Sequence, residues 1–256
     1  MRDALEDETK SPTSVAENRG DDHSHSERFR PTLWSALQAR RISLWLTLVG
    51  KGLLRFNIEV EGLDLVPRGE PLIVAAAPHR NWIDPFLILQ VLPPLPRTYF
   101  LAAADATSNR WWKRLFIELA GGMVPVASKG HLNRDGLELA LGILERGNRV
   151  GIFPEGWGAK PDPEIMPLKR GVAFLSQHSS RRVLPIALAG TTDLWRGKTL
   201  RVRIAPPLDS LPPAADRHEE QAYVDALRAV LQEAVPPQPE EPRDGRKPWR
   251  WLTRAL

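Results

Sequence analysis

Apolar residues in this chain gather into short, nearly unbroken runs separated by stretches with helical spacing. The runs at Phe56–Val60, Leu72–Ala77, Thr98–Ala102, Met123–Val126, Val150–Phe153, Val183–Leu188 and Leu200–Ile204 are four to six residues long, which is strand length. Helix-type patterns lie between them: one after Asp84, one near Trp111–Leu119, one from about Arg134 to Glu145 with Gly147 as its stop signal, and one over Gln221–Glu233. Strands alternating with helices predict an α/β fold, a mostly parallel central sheet flanked by helices.

The pattern changes at both ends. Residues 1–30 are polar, rich in Asp, Glu, Ser and Thr, and without apolar periodicity, so they read as a disordered acidic tail. His23 and His25 sit there without further ligands to close a metal shell. From Leu33 to Phe56, Trp and aliphatic residues are interleaved with Arg40, Arg41, Lys51 and Arg55. A wide apolar face with Trp residues and basic flanks fits an amphipathic helix, or helices, lying in a membrane interface, and this segment is taken as 31–56. No run of about 18 uninterrupted apolar residues occurs, so the expectation is a protein held peripherally on the cytoplasmic face of a membrane. The remainder divides into a catalytic domain at 57–210 and a C-terminal helix with a basic aromatic tail at 211–256, where Lys247-Pro248-Trp249-Arg250-Trp251-Leu252 offers a second membrane contact.

Composition narrows the chemistry. With no cysteine, a disulfide framework, thiol catalysis and cysteine-ligated metal sites are excluded. The net charge of +4 understates the body of the chain: residues 1–28 hold eight acidic and four basic side chains, which leaves 31 basic against 23 acidic elsewhere. A basic body suits anionic lipid headgroups, phosphorylated small molecules, coenzyme A or nucleic acid. Its basic residues are scattered and no recognition motif accompanies them, which argues against nucleic acid.

Two segments carry candidate chemistry, and each directly follows a buried-strand pattern. In His79-Arg80-Asn81-Trp82-Ile83-Asp84 the histidine and aspartate are five positions apart, an offset that on one helix would turn their side chains roughly 140° from each other. Part of the segment must therefore be loop. Asp84-Pro85 supports this, because Asp is a favoured helix N-cap and Pro a favoured first helical residue, so a helix is expected to start at Asp84 with the histidine on the preceding turn. In that geometry the carboxylate can fold back on the imidazole and fix its tautomer. Phe153-Pro154-Glu155-Gly156 places a second carboxylate on a turn, with Gly156 permitting a positive-φ backbone. Strand ends are where open α/β sheets bind ligands.

Read in order, these two segments together with Gly121-Gly122-Met123-Val124-Pro125-Val126, Leu168-Lys169-Arg170-Gly171 and Val183-Leu184-Pro185-Ile186-Ala187 resemble the glycerolipid (lysophospholipid) acyltransferase family, the 1-acylglycerol-3-phosphate acyltransferase-like proteins, over about residues 55–210. That family has four sequence blocks, the first holding a histidine and an aspartate with four residues between them. The resemblance implies transfer of a fatty acyl group from acyl-CoA or acyl carrier protein to a lipid hydroxyl, with His79 as general base, Asp84 supporting it, and Glu155 and Gly156 binding the acceptor. It implies no metal and no cofactor beyond the thioester co-substrate. For the oxyanion, backbone amides near the His79 turn are the first candidates and Lys169 or Arg170 the second.

This sequence also departs from the family pattern. Trp157-Gly158-Ala159 stands where Thr, Arg and Ser are common, Lys129 where an arginine meets the acceptor phosphate, Asn81 where serine is common and Pro78 where asparagine is. Either Lys129, Lys169, Arg170 or the Arg110–Arg114 cluster holds the phosphate, or the acceptor is a glycolipid, an amino-acid lipid or another alcohol. Two further readings remain open, a thioesterase using water and a catalytically silent membrane-binding module. The chain lacks the G-x-S-x-G element of a serine hydrolase.

Overall fold

The computed structural model describes residues 48, 52, 55–103, 122–126, 134–156 and 164–239. The acidic tail, nearly all of the 31–56 segment, the helix expected near Trp111–Leu119, Lys129, Trp157-Gly158-Ala159 and the residues after 239 lie outside the described residues.

In chain order the elements are β1 (Asn57–Glu61), a 3₁₀ turn (Leu63–Leu65), β2 (Ile73–Ala77), α1 (Asp84–Val91), β3 (Thr98–Ala103), β4 (Met123–Val126), α2 (Arg134–Glu145), β5 (Arg149–Ile152), α3 (Gly171–Ser179), β6 (Val183–Ala189), β7 (Thr199–Ile204) and α4 (Arg217–Ala234). The strands form one sheet in the order β1-β7-β6-β2-β5-β3-β4. All neighbouring pairs are parallel except β6 and β7, so the sheet is mostly parallel with its β7-β1 edge running the other way. Among the described residues no helix is long and apolar enough to cross a membrane.

Strand position explains strand composition. All five residues of β2 and all seven of β6 are buried, as expected where helices cover both faces, and their sequences are apolar without alternation. Near the edge, β7 alternates: Leu200, Val202 and Ile204 are buried, while Arg201 and Arg203 face the other way and pair with Glu59 and Glu61 of β1 at 2.8 and 2.6 Å. Val74, Ala76, Leu184, Ile186 and Leu188 pack with Leu87 and Ile88 of α1 on one face. Alternate residues point to the opposite face. There α2 lies against β5 and β3, α3 against β2, and α4 against β6, with Ala187 meeting Ala234.

Helix ends follow local chemistry. α2 stops as expected, with Gly147 at φ +76°, its N–H donating to the Leu144 carbonyl and the Asn148 N–H to that of Ile143. α4 starts four residues before the expected Gln221 because Asp216 and Glu219 form a capping box: the Asp216 carboxylate accepts from the His218 and Glu219 amides, and Glu219 accepts from the Asp216 amide at 2.8 Å. α3 is an element that the sequence pattern did not disclose.

The pole of the sheet at the start of β5 is closed by Arg149, which is 0% exposed. Its guanidinium donates to the carbonyls of Pro67, Pro93 and Pro96 at 3.1–3.3 Å, binding together two loops, the one before β2 and the one between α1 and β3. Burial pushes its pKa below the ordinary arginine value. The other pole, at the carboxyl ends of β2, β5 and β6, is where the candidate chemistry emerges.

Candidate active site

β2 and β5 are neighbours, with Ala75 opposite Ile152, so the segments that follow them leave the sheet side by side. After β2 the chain passes through a cis Ala77–Pro78 peptide into the His79 loop. Asn81, fully buried, organises that loop. Its carbonyl accepts from the Asp84 amide at 3.1 Å, its side-chain oxygen from the Ile83 amide at 3.3 Å, and its side-chain nitrogen donates to the Thr191 carbonyl, just beyond β6, at 3.0 Å. A side chain that appears in the sequence as a departure from serine thus ties the loop to a second strand end.

α1 begins at Asp84 as expected, yet Asp84 does not cap it. The N-cap position belongs to Ile83, whose side chain makes no cap hydrogen bond, and the Asp84 carboxylate points backward instead. One oxygen, Oδ2, accepts from the Arg80 amide at 2.7 Å and the Asn81 amide at 2.8 Å, and lies 2.9 Å from His79 Nδ1. Since Oδ2 already accepts from two main-chain donors, it accepts from Nδ1 as well, so in the neutral imidazole Nδ1 carries the proton and Nε2 the lone pair. Asp84 is 0% exposed and the His79 side chain 15%. The imidazole lies on the Phe153 ring, with centroids 4.0 Å apart and planes 17° from parallel, and Phe153 lies on Phe100 at 5.4 Å. Gly151, beside Phe100 in the sheet, makes this stack possible, because a Cβ there would sit 2.6 Å from the Phe100 ring.

The second turn locks onto the first. Glu155 is buried and both of its oxygens are used: Oε2 accepts from the His79 amide and Oε1 from the Met166 amide, each at 2.8 Å. Gly156 closes the turn at φ +79°, its N–H donating to the Phe153 carbonyl at 3.0 Å. The Lys169 amide donates to the Pro154 carbonyl at 2.8 Å, and its side chain passes so close to Gly156 that a Cβ there would lie 2.6 Å from the lysine Cε.

Of the residues expected at the site, His79, Asp84, Glu155, Gly156 and Lys169 are brought together. Arg170 occupies the N-cap position of α3, and its guanidinium lies 4.0 Å from Glu220 on α4. Among the His79-turn amides, first candidates for an oxyanion, five are committed within the protein: those of His79, Arg80 and Asn81 to the two carboxylates, and those of Ile83 and Asp84 to Asn81. Sequence reasoning also missed the structural work of Asn81 and the Phe153 stack. An aromatic residue directly before Pro154-Glu155-Gly156 was the available signal for the latter.

The Acyltransferase family model matches residues 57–189, from the start of β1 to the end of β6. The chain belongs to the Acyltransferase family. Its His79 and Glu155 turns both lie inside the matched stretch, while β7 and α4 lie beyond it. Similar proteins include a 1-acyl-sn-glycerol-3-phosphate acyltransferase of Cocos nucifera, 26% identical over 171 residues, which are 62% of this chain and 52% of the relative. Another protein of that description, from Streptococcus pneumoniae, is 24% identical over 152 residues, 58% of this chain and 53% of the relative. The chain thus spans about half the length of the curated relatives it matches. Among solved structures, the 1-acyl-sn-glycerophosphate (LPA) acyltransferase PlsC of Thermotoga maritima is similar in fold, with a TM-score of 0.59 at 20% identity over 82% of this chain and 85% of that one.

Proposed function

We propose that this member of the Acyltransferase family is an O-acyltransferase that moves a fatty acyl group from acyl-CoA or acyl carrier protein to the hydroxyl of a lysophospholipid, 1-acylglycerol-3-phosphate first among them, in phospholipid biosynthesis. The observation that carries this reading is the contact of His79 Nδ1 with the buried Asp84 Oδ2 at 2.9 Å, which leaves Nε2 as the basic nitrogen. The acceptor named in the descriptions of the similar proteins supports the choice of substrate.

In the proposed reaction the acceptor hydroxyl gives its proton to Nε2 as its oxygen attacks the thioester carbonyl. Asp84 holds the imidazole and stabilises the imidazolium that forms. With those five amides of the His79 turn committed, the Lys169 ammonium is the group assigned to the carbonyl oxygen as it becomes an oxyanion. When the tetrahedral intermediate collapses, the carbon–sulfur bond breaks and the proton on Nε2 passes to the thiolate. Glu155 positions the His79 main chain. The reaction takes place at the cytoplasmic face of a membrane, where a lipid acceptor and a soluble thioester meet.

The departures at Trp157-Gly158-Ala159 and Lys129 bear on the headgroup. A glycolipid or amino-acid lipid acceptor is the second reading, and one assay separates the two. Thiol release from a long-chain acyl-CoA is followed with lysophosphatidic acid, other lysophospholipids, a glycolipid alcohol, or no acceptor, and the absence of cysteine removes background thiol. Release that requires lysophosphatidic acid and disappears in His79→Ala is the expected result. Release with a different acceptor reassigns the headgroup, release without any acceptor indicates a thioesterase, and undiminished release by His79→Ala rejects the mechanism.

A further inference from the structure

The His79 loop is held from outside its own motif. Ile165, the residue before the Met166 whose amide binds Glu155, is 0% exposed, and both of its main-chain groups are gripped by α4. Its N–H donates to Gln232 Oε1 at 3.0 Å, and its carbonyl accepts from Arg228 Nε and Nη2 at 3.2 and 2.8 Å. Arg228 and Gln232 are four residues apart and so share one face of the helix. One residue earlier, the Glu164 carbonyl accepts from Arg80 Nη2 at 3.2 Å, and the Glu164 carboxylate lies 3.7 Å from Arg228. Hydrogen bonds therefore run from α4 to the main chain of Ile165, and, one peptide unit on, from the Met166 amide to Glu155 and from the His79 amide to the same carboxylate. α4 lies outside the stretch that the family model matches.

We propose that Arg228 and Gln232 are positioning residues for the active site: by fixing residues 164–166 they set the place of Glu155, and through it the backbone that carries His79. This rests on the reading of His79 as general base. The physical ground is the steep dependence of rate on the placement of a base, for which a displacement of about 1 Å can lower the rate about a hundredfold. Glu155 uses one oxygen on each loop, so a shift of the Met166 amide is passed to the His79 amide without any change at His79, Asp84 or Glu155.

The test uses the full-length protein and the double variant Arg228→Met/Gln232→Met, which keeps side-chain length and helix propensity while removing the fork and the acceptor. Turnover is read with the acyl-CoA assay, and hydrogen exchange is read separately in peptides covering residues 78–84 and 164–168. The expected result is a kcat lowered about ten- to a hundredfold with KM within about twofold, and faster exchange in both peptides. Gln232→Glu, which retains the acceptor oxygen, is expected to stay near wild type. Should the double variant fold poorly, Gln232→Met alone, at an exposed position, gives the same readouts. Unchanged exchange over 78–84 together with unchanged kcat overturns the proposal. Faster exchange over 78–84 alongside a fully active His79→Ala supports the coupling of α4 to the loop and locates the failure in the catalytic reading instead.

Discussion

Asp84→Asn separates the charge of Asp84 from its shape. The Oδ2 that meets His79 also accepts from the Arg80 and Asn81 amides, so the asparagine oxygen must occupy that place, since its NH₂ group would oppose two main-chain donors. The variant therefore keeps the tautomer of His79 and loses only the negative charge beside it. Two unit charges about 4 Å apart at an effective dielectric of about 20 interact by about 4 kcal/mol. With about half of the imidazolium charge developed in the transition state, the loss is about 2 kcal/mol, or about thirtyfold in rate. The asparagine NH₂ takes the site of Oδ1, which is buried and without a hydrogen-bond partner, at a cost of about 1–3 kcal/mol, or roughly 2–12 °C in melting temperature. Steady-state thiol release and a thermal melt measure both quantities. A fall in kcat of less than about threefold, or an effect confined to KM, refutes the argument that Asp84 acts through the charge on His79.

The other predictions concern more distant features. Arg149→Met strips charged donors from the Pro67, Pro93 and Pro96 carbonyls and is expected to lower stability by about 3 kcal/mol, roughly 6–12 °C, without changing kcat of the folded enzyme, because this pole is opposite the site; an unchanged melting temperature counts against the clasp. Gly151→Ala forces the Phe100 ring to move and with it the stack on Phe153 and His79, so a loss of about 1–3 kcal/mol with a reduced kcat is expected, and a silent variant disproves the stack's role. The amides of Glu219 and His218 hold the Asp216 carboxyl below its usual range, so the folded state binds its proton less readily than the unfolded chain. The cap's contribution is then complete above the unfolded value of about 4 and is lost as pH falls through the folded one, so the melting-temperature gap between wild type and Asp216→Ala should narrow on acidification. A gap independent of pH argues that the cap does not act through its charge.

Much of the site was legible because its clues are local. A histidine and an aspartate too far around a helix to meet implied a loop, and Asp84-Pro85 marked where the next helix begins. For the Asp84 carboxylate the sequence offered two uses, capping α1 forward and folding back onto the imidazole, with the same residue at the same position, and three donors on the preceding turn decide for the latter. The partners of Glu155 were less legible still. Its place after a strand marks it as functional, but the use of both oxygens on main-chain amides depends on residues 76 positions before it and 11 after it. Asn81, read as drift in a motif, is a tie to Thr191, 110 positions away.

By itself, the sequence determined the strands, the helix stops, the placement of two reactive turns after two buried strands, and the absence of thiol chemistry. Each follows from residue type and from neighbours within one or two turns of chain, where periodicity, capping and backbone freedom act. Tertiary structure decided which strands are neighbours, that β7 and β1 run against the rest, that Phe153 lies under His79, and that α4 reaches back to the loop holding Glu155. These rest on contacts between distant segments, and their selection comes from burial and from the need to pair every buried polar group, which no local window of sequence contains.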